Sequence, residues 1–353
     1  MNEKYTEALE QYDMEVLSVR RGRGSWICET DQGCRLLKEY RGTVKRLEFE
    51  DQVLGMLDPR TSLRTDRYVR NKEGALFTSA GDGTCYIVKE WFLDRECSLK
   101  DGFEIRQALS RLAMLHRQLR ELPFREEWRM GSTDEQPIEK EMERHNREMQ
   151  RVRNYIREKR KKTELEMCVI NSFEAFFEQA REALRGMEEL WDSGEQKELR
   201  AAQLAPLREE APGGPAAQLP DRPLYLCHGD LDQHHVLMGG RYTAIVDYNR
   251  MHLGIQVSDL YRFMRKAMEK HSWNADLGFS MLESYERVLP MEKRERTCLY
   301  YLFLYPEKYW KQLNFYYNSN KAWIPVRNID KLRALAAQQP ARNAFLKRLE
   351  WAL

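Results

Sequence analysis

Nowhere in the 353 residues is there a run of about 18 apolar side chains, the length a membrane span requires. The N-terminal MNEKYTEALEQYDMEV is charged and lacks the apolar centre of a signal peptide. The expected setting is therefore soluble and intracellular, with no membrane partner. Charge of one sign is also missing: 58 Lys and Arg face 56 Asp and Glu, for a formal net charge of +2. That balance removes the basic excess of a nucleic-acid binder. The densest basic cluster, REKRKK at 157–162, alternates with acidic neighbours and reads as a solvated helix face. The seven cysteines are odd in number, form no C-x-x-C pair and lie partly inside apolar runs, where a thiol acts as a small hydrophobe. This is the profile of a reducing compartment. Histidine is scarce too, with seven in all, so it matters that LCHGDLDQHHVLM (226–238) holds three of them beside Asp230 and Asp232.

What is present changes in texture along the chain. MEVLSV (14–19), SWICET (25–30) and CRLLKEY (34–40) are short runs rich in branched and aromatic residues, as in strands, and DQG (31–33) joins the last two as a hairpin turn. TVKRLEFEDQVLGML (43–57) then puts Val44, Leu47, Leu54 and Leu57 at helical spacing after a Thr suited to capping. RYVR (67–70), ALFTS (75–79) and CYIVKEWF (85–92) return to strand character, separated by the turns NKEG and GDGT. Three strands, a helix and further strands is the order of the small lobe of a kinase. Beyond residue 93 the pattern is helical: 103–119, 138–162, 167–190, 257–270, about 274–288, and a long aromatic stretch over 291–319 that Pro306 should break, then two short C-terminal pieces. RAAQLAPLREEAPGGPAAQLPDRP, with its Ala, Pro and Gly pair, reads as a flexible insertion over about 200–222. Length and order together predict a two-lobed α+β architecture: a small antiparallel sheet lobe with one helix over 1–93, and a mainly helical lobe over 94–353.

The histidine-rich stretch follows a short strand, LYLC (224–227), and precedes a small hairpin built from VLM (236–238) and YTAIVDY (242–248). Three readings compete: a metal site, a phosphate-transfer loop, or a polar turn without chemistry. Phosphoryl transfer needs a carboxylate at the attacking hydroxyl, ligands for a divalent cation, and a cation on the phosphates. A loop followed by a hairpin can supply the first two, through Asp230 in the loop, His235 five residues later and Asp247 at the end of TAIVD. Lys38, in the third strand, is the cation candidate. A zinc or di-metal hydrolase on His228, Asp230, His234 and His235 is the sharpest rival, although adjacent histidines in an extended segment point apart and no H-E-x-x-H pair occurs.

At these residues the sequence resembles the aminoglycoside phosphotransferases and choline-kinase-like enzymes, and within them the CotS-type spore coat proteins. The segments that carry the resemblance are KEYRGTVKRL (38–47), VKEWFLDREC (88–97), CHGDLDQHHVLM (227–238), DYNRMHLGIQVSDLYRFMRK (247–266) and YPEKYWKQLNFYYNSNKAWIP (305–325). The resemblance implies a kinase-like fold whose cleft is floored by 228–235 and 247–249. It implies ATP or another nucleoside triphosphate with Mg²⁺ or Mn²⁺ as cofactors, an unidentified hydroxyl-bearing acceptor, and a place in the spore coat among other coat proteins. In residue terms, Asp230 is the loop aspartate, His228 braces the loop, Asp247 and His235 stand at the metal positions, and Lys38 holds phosphate. Glu50, or Glu48, is the helix acid that would pair with Lys38, and Glu90 lies where the nucleotide would meet the hinge. Gly22 and Gly24 in VRRGRGSW either cover phosphates with backbone N–H groups or form a plain hairpin turn. Asp259 matches an aspartate of the family's SDLY segment or caps its helix.

His235 stands where an asparagine is usual, and imidazole suits manganese, iron or zinc better than magnesium. DYN (247–249) in place of a D-F-G-like triplet and the glycine-poor hairpin are further departures. Two function classes therefore stay open: a working phosphotransferase, and a kinase-like structural component of the coat without catalysis. The aromatic segment around Trp310, Tyr316, Tyr317 and Trp323 bears on the choice, as helical core or as an interaction surface.

Overall fold

A computed structural model describes residues 4–192, 224–318 and 326–352. The expected insertion over 200–222 and Trp323 lie outside the described residues. A short helix α1 (Lys4–Leu9) precedes the hairpin of β1 (Val16–Arg21), β2 (Trp26–Thr30) and β3 (Gly33–Glu39). Helix α2 (Val44–Met56) follows, then β4 (Leu63–Thr65), β5 (Tyr68–Val69), β6 (Thr78–Ser79), β7 (Cys85–Glu90) and β8 (Arg95–Glu96). Helices α3 (Gly102–Glu121), α4 (Ile138–Glu158) and α5 (Glu164–Asp192) come next. The loop region contributes β9 (Tyr225–Cys227), β10 (Val236–Met238), β11 (Thr243–Ile245) and β12 (His252–Gly254). The chain continues with α6 (Val257–Lys270), α7 (Ala275–Glu286), α8 (Lys293–Leu304), α9 (Glu307–Asn318) and α10 (Val326–Glu350).

The described residues fall into two compact units. One comprises those of Met1–Asp134, Tyr225–Leu253 and Glu283–Leu289; the other those of Glu135–Leu224, Gly254–Leu282 and Pro290–Leu353. This division groups residues 94–134 and 225–253 with the strands before residue 93. Every residue of the histidine loop and Asp247 therefore belongs to the first unit.

The main sheet of the first unit runs β1-β2-β3-β7-β5, with β6 also on β7, and all its pairs are antiparallel. Side chains alternate across it. One face buries Cys28, Leu37, Tyr86 and Val88 with Ala8, Leu9 and Tyr12 from the N-terminal segment. The other face carries Leu36, Lys38, Ile87 and Lys89, because Leu36 pairs with Lys89 and Lys38 with Ile87. Leu47 of α2 packs there against Ile87 and Leu76. Helix α2 starts as its sequence predicts: the Thr43 side chain accepts a hydrogen bond from the Arg46 N–H. Leu47, Leu54 and Leu57 are buried, but Val44, in the first turn, is exposed.

Two features depart from the expected antiparallel lobe. The three-residue β4 was not anticipated, and it joins a second sheet of order β4-β11-β10-β8. Its pairing with β11 is parallel, Leu63 with Thr243 and Thr65 with Ile245. So short a segment has no periodicity to read; its partner lies about 180 positions away in the chain.

In the second unit Pro306 separates α8 from α9, as expected. The two C-terminal pieces instead form one helix, α10, which runs through Pro340. Proline costs the helix one N–H donor. Burial of Ile329 and Leu332 on one side of it and Phe345, Leu346 and Leu349 on the other holds the axis together. Of the aromatic stretch, Tyr316 is buried, Trp310 is half-buried with its indole N–H on Glu148, and Tyr317 is exposed.

Candidate active site

Strand β9 delivers Cys227 and His228, both buried, into a tight turn at Gly229. Gly229 has φ +85°, and a Cβ there would lie 2.0 Å from the Arg250 carbonyl oxygen, so only glycine fits. The next residue, Asp230, is held through its peptide by two histidines. Its N–H donates to His228 Nδ1 at 3.3 Å, and its carbonyl accepts from His235 Nδ1 at 2.7 Å. A ring nitrogen that accepts an N–H must leave the proton on the other, so His228 Nε2 is the donor to the Val246 carbonyl at 3.0 Å. His235 carries a proton on Nδ1, which it gives to the Asp230 carbonyl, and its Nε2 faces Asp247, 3.9 Å from Oδ2. Asp232 caps the short turn that follows by accepting the His234 N–H at 2.8 Å. His234 turns away, with Nδ1 donating to Glu96 Oε2 at 2.5 Å.

Asp247 follows β11 and adopts φ +68°, a left-handed conformation that aspartate tolerates better than most side chains. Its carboxylate meets Lys38, whose Nζ lies 3.2 Å from each oxygen. Burial works to raise the Asp247 carboxyl, but Lys38, then Lys89 and His235, hold it below the usual carboxylate range. It is a charged carboxylate at neutral pH.

Behind this pair lies a second one that sequence reading missed. Because β4 and β11 are parallel and end together, Asp66 emerges beside Asp247, and Asp66 Oδ2 accepts the Asp247 N–H at 3.1 Å. The same oxygen accepts from Lys89 Nζ at 2.9 Å; Asp66 is 1% exposed and Lys89 4%. Burial lowers the lysine's proton affinity, but Asp66 and then Glu50 more than restore it. Removing one partner of such a pair costs about 3–5 kcal/mol. A lysine within the apolar strand CYIVKEW was the available signal, since a buried ammonium must find an anion.

Glu50 is not the partner of Lys38. Its Oε1 accepts from Arg46 Nε at 2.7 Å and its Oε2 from the Tyr68 hydroxyl at 2.6 Å. Arg46 is one turn earlier on the same buried face of α2, and that local partner takes the glutamate. Glu48 is exposed. The Gly22 N–H donates to the Ser25 carbonyl at 2.8 Å and Gly24 has φ +65°, so the glycine pair makes the β1–β2 hairpin turn. At that tip Arg23 lies 3.3 Å from Glu96. Glu90 ends β7 with its side chain exposed and its N–H on the Arg67 carbonyl. Asp259, in the second unit, is a buried residue in the first turn of α6. The structure thus brings together Lys38, His228, Asp230, His235 and Asp247, and leaves Glu50, Glu90, Gly22 and Gly24 otherwise engaged or apart.

The donor set suits a cation that arrives with other ligands. Asp247 and His235 offer one carboxylate and one imidazole, and among the described residues no group of three or more His, Cys, Asp or Glu is placed to hold a metal. Both nitrogens of His228 are engaged and His234 faces Glu96, so the hydrolase reading loses its ligands. A magnesium-type ion held by one or two protein groups and by substrate phosphates matches what remains.

Small-molecule kinases are among the solved structures that share this architecture. The chain is similar to an aminoglycoside phosphotransferase from Alicyclobacillus acidocaldarius, with TM-score 0.78, 17% identity, and 98% of this chain and 95% of that one covered. It is also similar to an amicoumacin kinase in complex with AMP-PNP and Ca²⁺ (TM-score 0.54, 11% identity, 97% and 92% covered). A third is the GDP complex of aminoglycoside 2'-phosphotransferase-IIIa (TM-score 0.55, 13% identity, 97% and 98% covered). At these identities the likeness shows the fold, which is the two-lobed kinase-like one. No curated protein matches the sequence. The sequence profile of the phosphotransferase enzymes matches residues 18–290, from β1 past the Asp247 turn, and with that span the chain belongs to the phosphotransferase enzyme family.

Proposed function

We propose that the protein transfers a phosphoryl group from ATP, or another nucleoside triphosphate, to a hydroxyl of an acceptor. The observation that carries this reading is the convergence of Lys38, Asp247 and His235 beside a loop whose Asp230 peptide is fixed on both sides by histidine. Lys38 would leave Asp247 for the nucleotide phosphates. Asp247, with His235 Nε2, would hold Mg²⁺ or Mn²⁺. A divalent ion there neutralises charge on the phosphates. Asp230 would accept the proton of the acceptor hydroxyl while His228 and His235 keep its backbone in place. Glu90 and the Gly24 hairpin remain candidates for contact with the nucleotide. The resemblance of segments 38–47, 88–97, 227–238, 247–266 and 305–325, taken together, to spore coat proteins supports a setting in the spore coat.

Calorimetry of ATP binding with Mg²⁺ and then Mn²⁺, on the wild type and Asp247→Asn, tests the reading. Metal-dependent binding that the substitution abolishes supports it. Absence of binding with either metal favours a second reading, a kinase-like structural component of the coat. Two observations lean that way: imidazole stands at a magnesium position, and the Gly22 N–H is engaged within its own turn.

A further inference from the structure

Four buried charges and one tyrosine form a chain of contacts that reaches the Asp247 turn at two backbone groups. Asp66 holds the N–H of Asp247, and Arg46 Nη2 holds the carbonyl of the next residue, Tyr248, at 3.3 Å. These two anchors are themselves joined. Asp66 is bonded to Lys89, the Lys89 ammonium lies 4.5 Å from the centre of the Tyr68 ring, the Tyr68 hydroxyl donates to Glu50, and Glu50 accepts from Arg46. All four charged residues are buried. The turn they grip is left-handed at a residue with a Cβ, a conformation that persists only where its surroundings impose it.

We propose that Arg46, Glu50, Tyr68, Asp66 and Lys89 form a clamp that positions Asp247 for the divalent cation, and that Glu50 acts on the site through Arg46 and the Tyr248 carbonyl instead of through Lys38. These are positioning residues. The inference rests on the reading of Asp247 as the metal carboxylate. Groups behind a metal ligand commonly change affinity by about 10–100-fold when removed, because they fix its direction.

The test uses Tyr68→Phe, which deletes one hydroxyl, and Lys89→Met, which deletes the counterion of Asp66. Hydrogen exchange without ligand reports on the clamp alone: in both variants the Asp247 amide, which Asp66 holds, should exchange about three- to tenfold faster, as expected for one weakened hydrogen bond. Calorimetry should show the Mn²⁺-dependent part of ATP affinity falling about tenfold while the metal-free affinity is unchanged. If Lys89→Met does not fold, Tyr68→Phe carries both measurements. Unchanged protection at Asp247 overturns the clamp, as does an equal fall with and without metal, which marks a merely structural role. Asp247→Asn separates the two layers. Metal dependence that survives it removes the reading of the site and the clamp with it, whereas metal dependence lost there but kept in Tyr68→Phe and Lys89→Met removes the clamp alone.

Discussion

Both units bury charge, but to different ends. In the first unit Arg46, Glu50, Asp66 and Lys89 converge on one turn and support a carboxylate that is itself half-exposed. In the second, buried charges tie helix ends. Glu166 accepts the Thr163 N–H at 2.6 Å at the start of α5 and is bonded as well to Lys159 and the Tyr316 hydroxyl. Arg342 of α10 donates to the Phe303 and Leu304 carbonyls, both at 2.7 Å, and so caps the end of α8. A buried ion is costly in either place. The difference lies in what the cost secures: the geometry of a ligand in one unit, the docking of helices in the other.

The comparison can be broken most sharply at Glu166. Glu166→Ala removes the acceptor of the Thr163 N–H and of the Tyr316 hydroxyl together with the counterion of the partly exposed Lys159, and should lower stability by about 3 kcal/mol in denaturant melts. Nucleotide affinity of the folded fraction should stay the same; a parallel fall would erase the distinction between the units. Gly229→Ala is its counterpart in the first unit. Its Cβ collides with the Arg250 carbonyl in a left-handed backbone, so the loss should exceed the roughly 1–3 kcal/mol of strain alone, with ATP binding lost as well. Retained binding would show that the loop can move freely.

A third, pH-dependent difference concerns His145, buried on α4 and stacked on Trp310 at 3.4 Å. Burial, then the adjacent Arg144, push its pKa down to about 4. The unfolded chain therefore takes up this proton first as pH falls. The stability from neutral His145 is complete above about pH 6.5 and is lost progressively towards pH 4, by about 2 kcal/mol after allowance for solvent screening. His145→Gln should flatten that part of the stability–pH curve; an unchanged slope would assign it to other groups. Smallest is Thr43→Ala, which removes the cap of α2 and should cost about 1 kcal/mol by thermal melting. If α2 positions Asp247 through Arg46, that small loss should still weaken metal-dependent binding measurably.

Much of this molecule was legible as text. The β1–β3 hairpins, the Thr43 cap and the break at Pro306 all follow from contacts between residues a few positions apart, which composition and periodicity encode directly. The candidate residues Lys38, Asp230, His235 and Asp247 were read from types and spacing that suit phosphate chemistry, and His228 from the resemblance. Which charges meet was not legible. Lys38 and Asp247 are 209 positions apart, and the partner of Glu50 turned on whether Arg46, four residues away, faced the same side. Asp66 and Lys89 surfaced only once β4 lay parallel to β11, so that both strands release an aspartate at the same edge. Local hydrogen bonding and hydrophobic spacing are properties of the chain itself. Pairing between buried charges depends on where separate strands end, and only the folded backbone decides that.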